Sequence, residues 1–141
     1  LDYGCGKWNR VTSVLRDRHL IVDGYDKIVT GPDIVNKLGS MKYDVIYSSN
    51  LLEHFIHPID DIKEILTHLN NDGYLIFITV CFEYCYTDTH YHVFYFVGRS
   101  LQFLCEKLGI IEVFSQRITF EDGIFTIIKV YTKKINQSIK N

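Results

Sequence analysis

The sequence predicts an α/β fold, a doubly wound and mostly parallel sheet with an antiparallel strand near its edge. Three observations carry this expectation. Short apolar segments alternate with segments whose apolar residues recur at helical spacing, the pattern of repeated strand–helix–strand units. The most apolar strand-like runs, Val45-Ile46-Tyr47 and residues 74–80, are continuous and rich in β-branched residues, as strands covered on both faces are. Between the last two strand-like segments stands Glu121-Asp122-Gly123, a turn signal that allows a hairpin and so one reversed strand.

Each element follows in order along the chain. Leu1-Asp2-Tyr3 reads as the tail of a buried strand ended by Gly4. Residues 9–18 fit a helix, with Asn9 of the type that caps a helix start and Val11, Val14 and Leu15 spaced to form its inner face. Residues 20–25 read as a second strand, Gly31-Pro32 as a turn, and residues 43–48 as a further strand. A helix runs from Pro58 to about Leu69, because proline suits a first helical position whose N–H has no partner in any case. Ile59, Ile62, Ile65, Leu66 and Leu69 line one of its faces, and Asn70-Asn71-Asp72-Gly73 ends it. Residues 74–80 form a buried strand and residues 82–97 a long aromatic connection. Ser100 is expected to cap a helix with Leu101, Leu104, Cys105 and Leu108 on one face, closed by Gly109. Residues 110–114 and 124–131 are the two closing strands. The expected domain is 1–132, with 133–141 a polar tail that frays.

The bulk properties narrow the classes of function. At 141 residues, 47% hydrophobic and 23% charged, the chain is one ordinary globular domain with room for one core. A net charge of -2 gives no basic field for a nucleic acid. No apolar run reaches the roughly 18 residues of a membrane span, and no signal peptide is visible. Cys5, Cys81, Cys85 and Cys105 form no C-x-x-C pair, so they read as reduced thiols of a cytoplasmic protein. The chain starts without Met and inside a strand, so it is expected to be a fragment whose N-terminal helix or lid is missing.

In a parallel sheet, ligands bind beyond the carboxyl ends of the strands, so the residues after each strand are the informative ones. These are Gly4-Cys5-Gly6, Asp26, Asp33 near the third segment, and Ser49-Asn50. Glycines let the backbone turn sharply and approach a ligand without a Cβ in the way. The helix that follows aims free N–H groups at the same spot. Asp26 stands 20 residues past Gly6, the spacing at which a carboxylate accepts hydrogen bonds from both hydroxyls of a ribose.

Four blocks then give the chain a likeness. Leu1-Asp2-Tyr3-Gly4-Cys5-Gly6 resembles the first motif of class I S-adenosylmethionine-dependent methyltransferases, an apolar strand followed by Asp-x-Gly-x-Gly. Residues 44–54, ending in Leu52-Glu53-His54, resemble the fourth-strand block of a type 11/23-like subgroup. Asn71-Asp72-Gly73-Tyr74-Leu75-Ile76 resembles its turn into strand five. His92-Val93-Phe94-Tyr95-Phe96 followed by Arg99-Ser100-Leu101 resembles the block before its next helix. The likeness covers nearly the whole chain in the right order.

That resemblance implies a Rossmann-like sheet with S-adenosylmethionine as cofactor. It implies that Gly4, Cys5 and Gly6 contact the methionine end, with Asp2 near its amino group. It sets Asp26 on the ribose, Asp33 and Ile34 against adenine, and Ser49, Asn50 and Leu51 along the methyl-transfer cleft. The family's third glycine is Trp8 here, an indole that either narrows the pocket or swings outward and closes over the ligand.

The implied reaction is direct displacement of a methyl group from a sulfonium onto a small organic acceptor, for which the protein mainly aligns the reacting atoms. A base is needed only if the acceptor must lose a proton. His54, His90 and His92 titrate in the useful range, and His92 is the expected base; Glu53-His54 is expected to set a corner of the backbone. Asp88, His90 and His92 also have the alternate spacing of a metal site, although no metal is expected there. Tyr84, Tyr86, Tyr91, Phe94, Tyr95 and Phe96 either wall an acceptor pocket or cover the open end of the sheet. Two other readings stay open: a methyltransferase-like binding module without turnover, and an NAD-dependent oxidoreductase, which shares the glycine loop and the acid.

Overall fold

The computed structural model describes residues 1–83 and 90–134. Among them, strands and helices alternate as β1 (Asp2–Tyr3), α1 (Arg10–Asp17), β2 (Gly24–Tyr25), β3 (Ile34–Val35), β4 (Tyr43–Ser49), α2 (Pro58–Thr67), β5 (Leu69–Thr79), α3 (Ser100–Leu108), β6 (Ile110–Thr119) and β7 (Phe125–Lys133). A short 3-10 turn, Leu52–His54, follows β4. The sheet order is β3-β2-β1-β4-β5-β7-β6. The first five strands pair in parallel, and β7 runs antiparallel to both β5 and β6. The reversed strand is thus second from the edge. Its hairpin closes where the Ile124 N–H donates to Asp122 Oδ1 at 3.0 Å.

Period-two alternation assigns the two faces of the sheet. Ile46, Leu75, Phe77 and Tyr131 are buried on one face, with Ile62 and Ile65 of α2 and Leu104 of α3 in the same core. Each fully buried aliphatic side chain contributes roughly 1.5–3 kcal/mol. Tyr47 and Ile76 take the opposite face, where α1 lies beside a cleft of about 780 Å³ lined by Val11, Leu15, Ile21 and those two residues. Helices therefore lie on both faces, as a doubly wound sheet requires. No helix among the described residues is long and apolar enough to cross a membrane.

Several boundaries differ from the sequence expectation, each for a physical reason. The second strand shrinks to Gly24–Tyr25, because Leu20 and Ile21 are exposed and apolar composition alone builds no ladder. Helix α1 turns Thr12 inward and leaves Val14 52% exposed, since the Thr12 hydroxyl donates to buried Asp2 Oδ2 at 3.1 Å. Asn9 does not cap α1 through its side chain. It sits at φ 44° and its Nδ2 donates to the Asp33 carbonyl at 3.3 Å. Gly24 makes room for it, as a Cβ there would lie 2.5 Å from Asn9 Oδ1.

Helix α2 ends at Thr67, and Leu69 already belongs to β5. Asn70-Asn71-Asp72-Gly73 is drawn into the strand past an irregularity in its pairing with β4. Ser100 lies within α3, where its Oγ accepts the Val97 N–H at 2.9 Å. Gly109 closes α3 in the left-handed conformation, as expected. Strand β6 extends to Thr119 because it pairs with β7 throughout. Its outer half, an exposed edge, carries no apolar signature. Strand β7 includes Lys133, and the Lys134 N–H donates to the Gly109 carbonyl at 2.8 Å. Residues 135–141 lie outside the described residues.

Candidate functional site

The carboxyl ends of β1, β2 and β4 meet around a glycine corner. After β1 the chain turns through Gly4 at φ 82° and Gly6 at φ 63°, conformations that cost an L side chain about 1–2 kcal/mol. The Gly4 N–H donates to the Tyr25 carbonyl at 2.7 Å, which ties the corner to β2. A Cβ at Gly4 would lie 2.6 Å from Leu51 Cδ2, whereas one at Gly6 would meet open space. Leu51 therefore braces the corner from the β4 side, and Gly6 presents bare backbone.

Asp26 follows β2 and turns its carboxylate to this corner. Its Oδ2 accepts the Gly6 N–H at 3.0 Å, and its Oδ1 accepts the Ile28 and Val29 N–H groups at 2.9 Å each. Charge-assisted bonds of this kind are about twice as strong as neutral ones.

Beneath the corner is a hollow of about 190 Å³ lined by Asp2, Gly4, Gly6, Trp8, Tyr47 and Ser49, among others. Asp2 is 4% exposed, and it forms no ion pair with a Lys or Arg among the described residues. Burial raises its pKa, with the hydrogen bond from the Thr12 hydroxyl pulling the other way. Burial also raises the Tyr47 hydroxyl, while a hydrogen bond with Ser49 opposes that shift. The Cys5 thiol is pushed up to about 11, by burial first and then by Asp2 and Asp26, so it stays protonated near neutrality and is a poor nucleophile. Trp8 is 74% exposed at the rim with Lys7 Nζ 5.5 Å from its ring centroid; the indole swings outward and leaves the hollow open.

The expected residues separate into those that meet here and those that do not. Asp2, Gly4, Cys5, Gly6 and Ser49 share the hollow, Leu51 packs on Gly4, and Asp26 joins through Gly6. Asn50 sits at φ 50° just past β4, exposed, with its N–H on the Ile78 carbonyl at 2.8 Å.

Asp33 does not join them. It precedes β3, and β3 pairs in parallel as Gly24 with Ile34 and Tyr25 with Val35. Asp33 is therefore at the amino end of the strands, and Ile34 is a buried strand residue. Asn36 is the residue that follows β3 at the same end as Asp26. The sequence reading missed it because the third segment showed no clear strand end. Tyr47 was missed because it lies within a strand, and only alternation with Ser49 indicates it. The larger cleft beside α1 reaches Asp23, Lys42 and Asp44 at the amino ends of β2 and β4, the wrong end for a ligand in such a sheet.

His92 lies elsewhere in the molecule. Its ring is 5.3 Å from that of His54 and 6.3 Å from that of Tyr95, centroid to centroid, and it does not line the hollow at the glycine corner. Glu53 is the bracket for this region. Its carbonyl accepts the Val93 and Phe94 N–H groups at 2.9 and 3.2 Å, and its carboxylate accepts the Thr79 hydroxyl at 2.8 Å. Glu53-His54 thus sets a corner, as expected. Phe96 is buried against Phe82, and Phe94 and Tyr95 pack on the core, while Tyr91 is exposed. Phe94, Tyr95 and Phe96 therefore cover the sheet. Tyr84, Cys85, Tyr86 and Asp88 lie outside the described residues, and His90 is exposed. Cys81 is a core thiol raised to about 12 by burial.

A family model for a methyltransferase domain matches residues 1–113. No curated protein matches the chain by sequence. Among solved structures it is similar to the 1,6-didemethyltoxoflavin-N1-methyltransferase of Burkholderia thailandensis, solved with 1,6-didemethyltoxoflavin and S-adenosylhomocysteine bound. The two share 19% identity at a TM-score of 0.75, over 95% of this chain and 70% of that one. It is also similar to the CcbJ methyltransferase of Streptomyces caelestis, at 16% identity and a TM-score of 0.70 over 95% and 82% of the two chains. A Methanosarcina mazei methyltransferase gives 13% identity and 0.69 over 96% and 92%. At these identities the likeness is one of fold.

Proposed function

Because the chain belongs to the methyltransferase domain family, we propose that it transfers the methyl group of S-adenosylmethionine to a small organic acceptor. The observation that carries this reading is the meeting of a bare glycine corner with a carboxylate from the next strand, Gly6 with Asp26. The residues fit the cofactor on three further counts. Gly6 leaves open space where a side chain would stand. Trp8 stands exposed at the rim and does not fill the hollow. Asp2 is a buried acid with no Lys or Arg paired to it among the described residues, which suits the amino group of a bound methionine moiety. A hollow of about 190 Å³ is smaller than a pocket for a whole drug-sized ligand, roughly 300–1,000 Å³. It suits the methionine end alone, with the nucleoside extending over Gly6 toward Asp26 and Asn36.

S-adenosylmethionine supplies a methyl group on a positively charged sulfur. The protein's part is alignment. Asp2 neutralises the ligand's amino group, Gly4 to Gly6 shape the turn around it, and Asp26 accepts hydrogen bonds from the ribose. Ser49, Asn50 and Leu51 border the side from which an acceptor approaches. The low net charge supports a small acceptor over a nucleic acid, and the toxoflavin precursor bound to the Burkholderia enzyme is a precedent of that class on this fold.

Calorimetric titration with S-adenosylmethionine, S-adenosylhomocysteine and NADH tests the proposal. Binding of the first two with one-to-one stoichiometry and none of NADH is expected. Binding of NADH alone would transfer the glycine corner to nicotinamide chemistry. Binding without methyl transfer to any of a panel of hydroxyl, amine and aromatic nitrogen acceptors would leave a ligand-binding module.

A further inference from the structure

We propose that Glu53, His54 and His92 form a binding site for a divalent transition-metal ion of the zinc class, which pins residues 90–96 to the end of β4. One ligand atom from each of the three residues lies within 4.8 Å of the others. Tetrahedral zinc with bonds of about 2.0–2.1 Å sets ligand atoms about 3.3 Å apart, so closure by up to about 1.5 Å is required. The His92 ring, whose Nδ1 has no hydrogen-bond partner to hold it, supplies much of that movement.

The surroundings of the three groups carry the argument further than proximity does. His54 Nδ1 lies 2.8 Å from the Tyr91 carbonyl. A carbonyl only accepts, so this nitrogen carries the proton and Nε2 is left with a free lone pair. A ring N–H held by a backbone carbonyl is how metal-binding histidines are oriented. Glu53 is 1% exposed, and its Oε2 is fixed by the Thr79 hydroxyl, whose oxygen in turn accepts the Cys81 N–H at 3.1 Å. Buried His92 Nδ1 has no hydrogen-bond partner, an expense that a native structure resolves with a water, a proton acceptor or an ion. A carboxylate with a supported oxygen, an imidazole with an assigned tautomer and an imidazole nitrogen lacking a partner are a His₂Glu donor set. Two imidazoles and one carboxylate suit zinc, whereas magnesium prefers oxygen ligands throughout.

The inference does not depend on the cofactor reading, and its readout is metal binding instead of methyl transfer. The metal-stripped chain is titrated with Zn²⁺ by calorimetry and with Co²⁺ by absorption spectroscopy, in the presence of excess Mg²⁺. The expected result is one equivalent bound, with cobalt bands of a nitrogen and oxygen site and no sulfur-to-metal charge-transfer band. His54→Ala, at an exposed position, is expected to fold normally by circular dichroism and to weaken binding by more than about tenfold. His92→Ala is expected to do the same, while His57→Ala binds as the parent does. Failure of the parent chain to bind one equivalent, or unchanged affinity in both His54→Ala and His92→Ala, would overturn the site. If His92→Ala slowed methyl transfer while metal affinity stayed unchanged, His92 would be a base and not a ligand.

Discussion

The Gly6 N–H donates to Asp26 Oδ2 at 3.0 Å, joining two residues that stand 20 apart in sequence and on neighbouring strands. The same carboxylate holds the Ile28 and Val29 N–H groups through its other oxygen. Asp26 therefore organises three backbone donors before any ligand arrives. Asp26→Ala is expected to lower S-adenosylhomocysteine affinity at least tenfold, about 1.4 kcal/mol, and to destabilise the ligand-free protein by roughly 1.5–3 kcal/mol as the donors lose a charged acceptor. Asp26→Asn retains an acceptor oxygen and is expected to recover part of the stability. Calorimetry and thermal unfolding measure both, and unchanged affinity in Asp26→Ala removes Asp26 from the ribose.

Asp2 gives a pH dependence whose sign is fixed by its burial. Its pKa is raised, chiefly by desolvation and slightly by Asp26, against the lowering effect of the hydrogen bond from Thr12. The folded state thus holds the Asp2 proton more tightly than the unfolded state. This contribution to stability is fully present below the ordinary carboxylate pKa and is lost as pH rises through the raised value. A ligand ammonium needs the ionised form, so cofactor affinity should rise with pH across the same window. Asp2→Asn is expected to flatten both profiles, keep or raise the melting temperature at neutral pH, and weaken the cofactor about tenfold or more. A steep affinity profile persisting in Asp2→Asn would assign the titration to another group.

Gly4 combines a left-handed backbone with a close neighbour. Gly4→Ala is expected to cost about 1–2 kcal/mol for the conformation and more for the collision with Leu51 Cδ2 at 2.6 Å. In the double variant with Leu51→Ala, the collision is relieved and the conformational cost stays. Denaturant unfolding of the four proteins in this cycle gives the coupling between the sites. Strict additivity would show that Leu51 moves aside freely and does not brace the corner.

The fold was legible because its signals are local. Helical spacing marked Ile62, Ile65 and Leu104, continuous apolar runs marked β4 and β5, and Gly109 marked a helix end. The glycine corner and Asp26 were legible because strand ends in a parallel sheet collect at one edge. Asp33 was read only as near the third segment, since β3 has two residues and too short a pattern to show where it ends. Thr12 was passed over and Asn9 misread for a different reason. Their partners, Asp2 and the Asp33 carbonyl, are distant in sequence, and a polar side chain turns inward only when such a partner exists. The grouping of Glu53, His54 and His92 was hidden likewise, because it depends on how a long connection folds back over β4.

Register across β2 and β3 ranks two candidate contacts for the adenosine. Tyr25 pairs with Val35, so Asp26 and Asn36 both emerge at the carboxyl edge while Asp33 stays at the opposite one. Asn36→Ala is expected to weaken S-adenosylhomocysteine several-fold and Asp33→Ala to leave it within about twofold, a difference on the order of 1 kcal/mol. Equal losses at the two positions would overturn this ranking and return the Asp33 side chain to the adenosine.

Trp8 is the chain's one tryptophan, so its fluorescence reports on a single place. The indole is 74% exposed at the rim of the hollow. A large apolar ring in water gains about 25 cal/mol for each Å² it buries, and a bound nucleoside offers a surface to cover. Closure over the cofactor is therefore favoured, and it moves the ring from water into contact with a positively charged sulfonium or an adenine face, where aromatic and cation–π attraction adds roughly 0.5–2 kcal/mol. The emission of Trp8 is expected to shift to the blue or to be quenched, saturating with the calorimetric affinity. Trp8→Ala is expected to bind several-fold more weakly, chiefly through faster dissociation. An emission spectrum unchanged at saturating cofactor, together with parental affinity in Trp8→Ala, would place the indole outside the binding event and make it a tolerated substitute for glycine at a corner with room to spare.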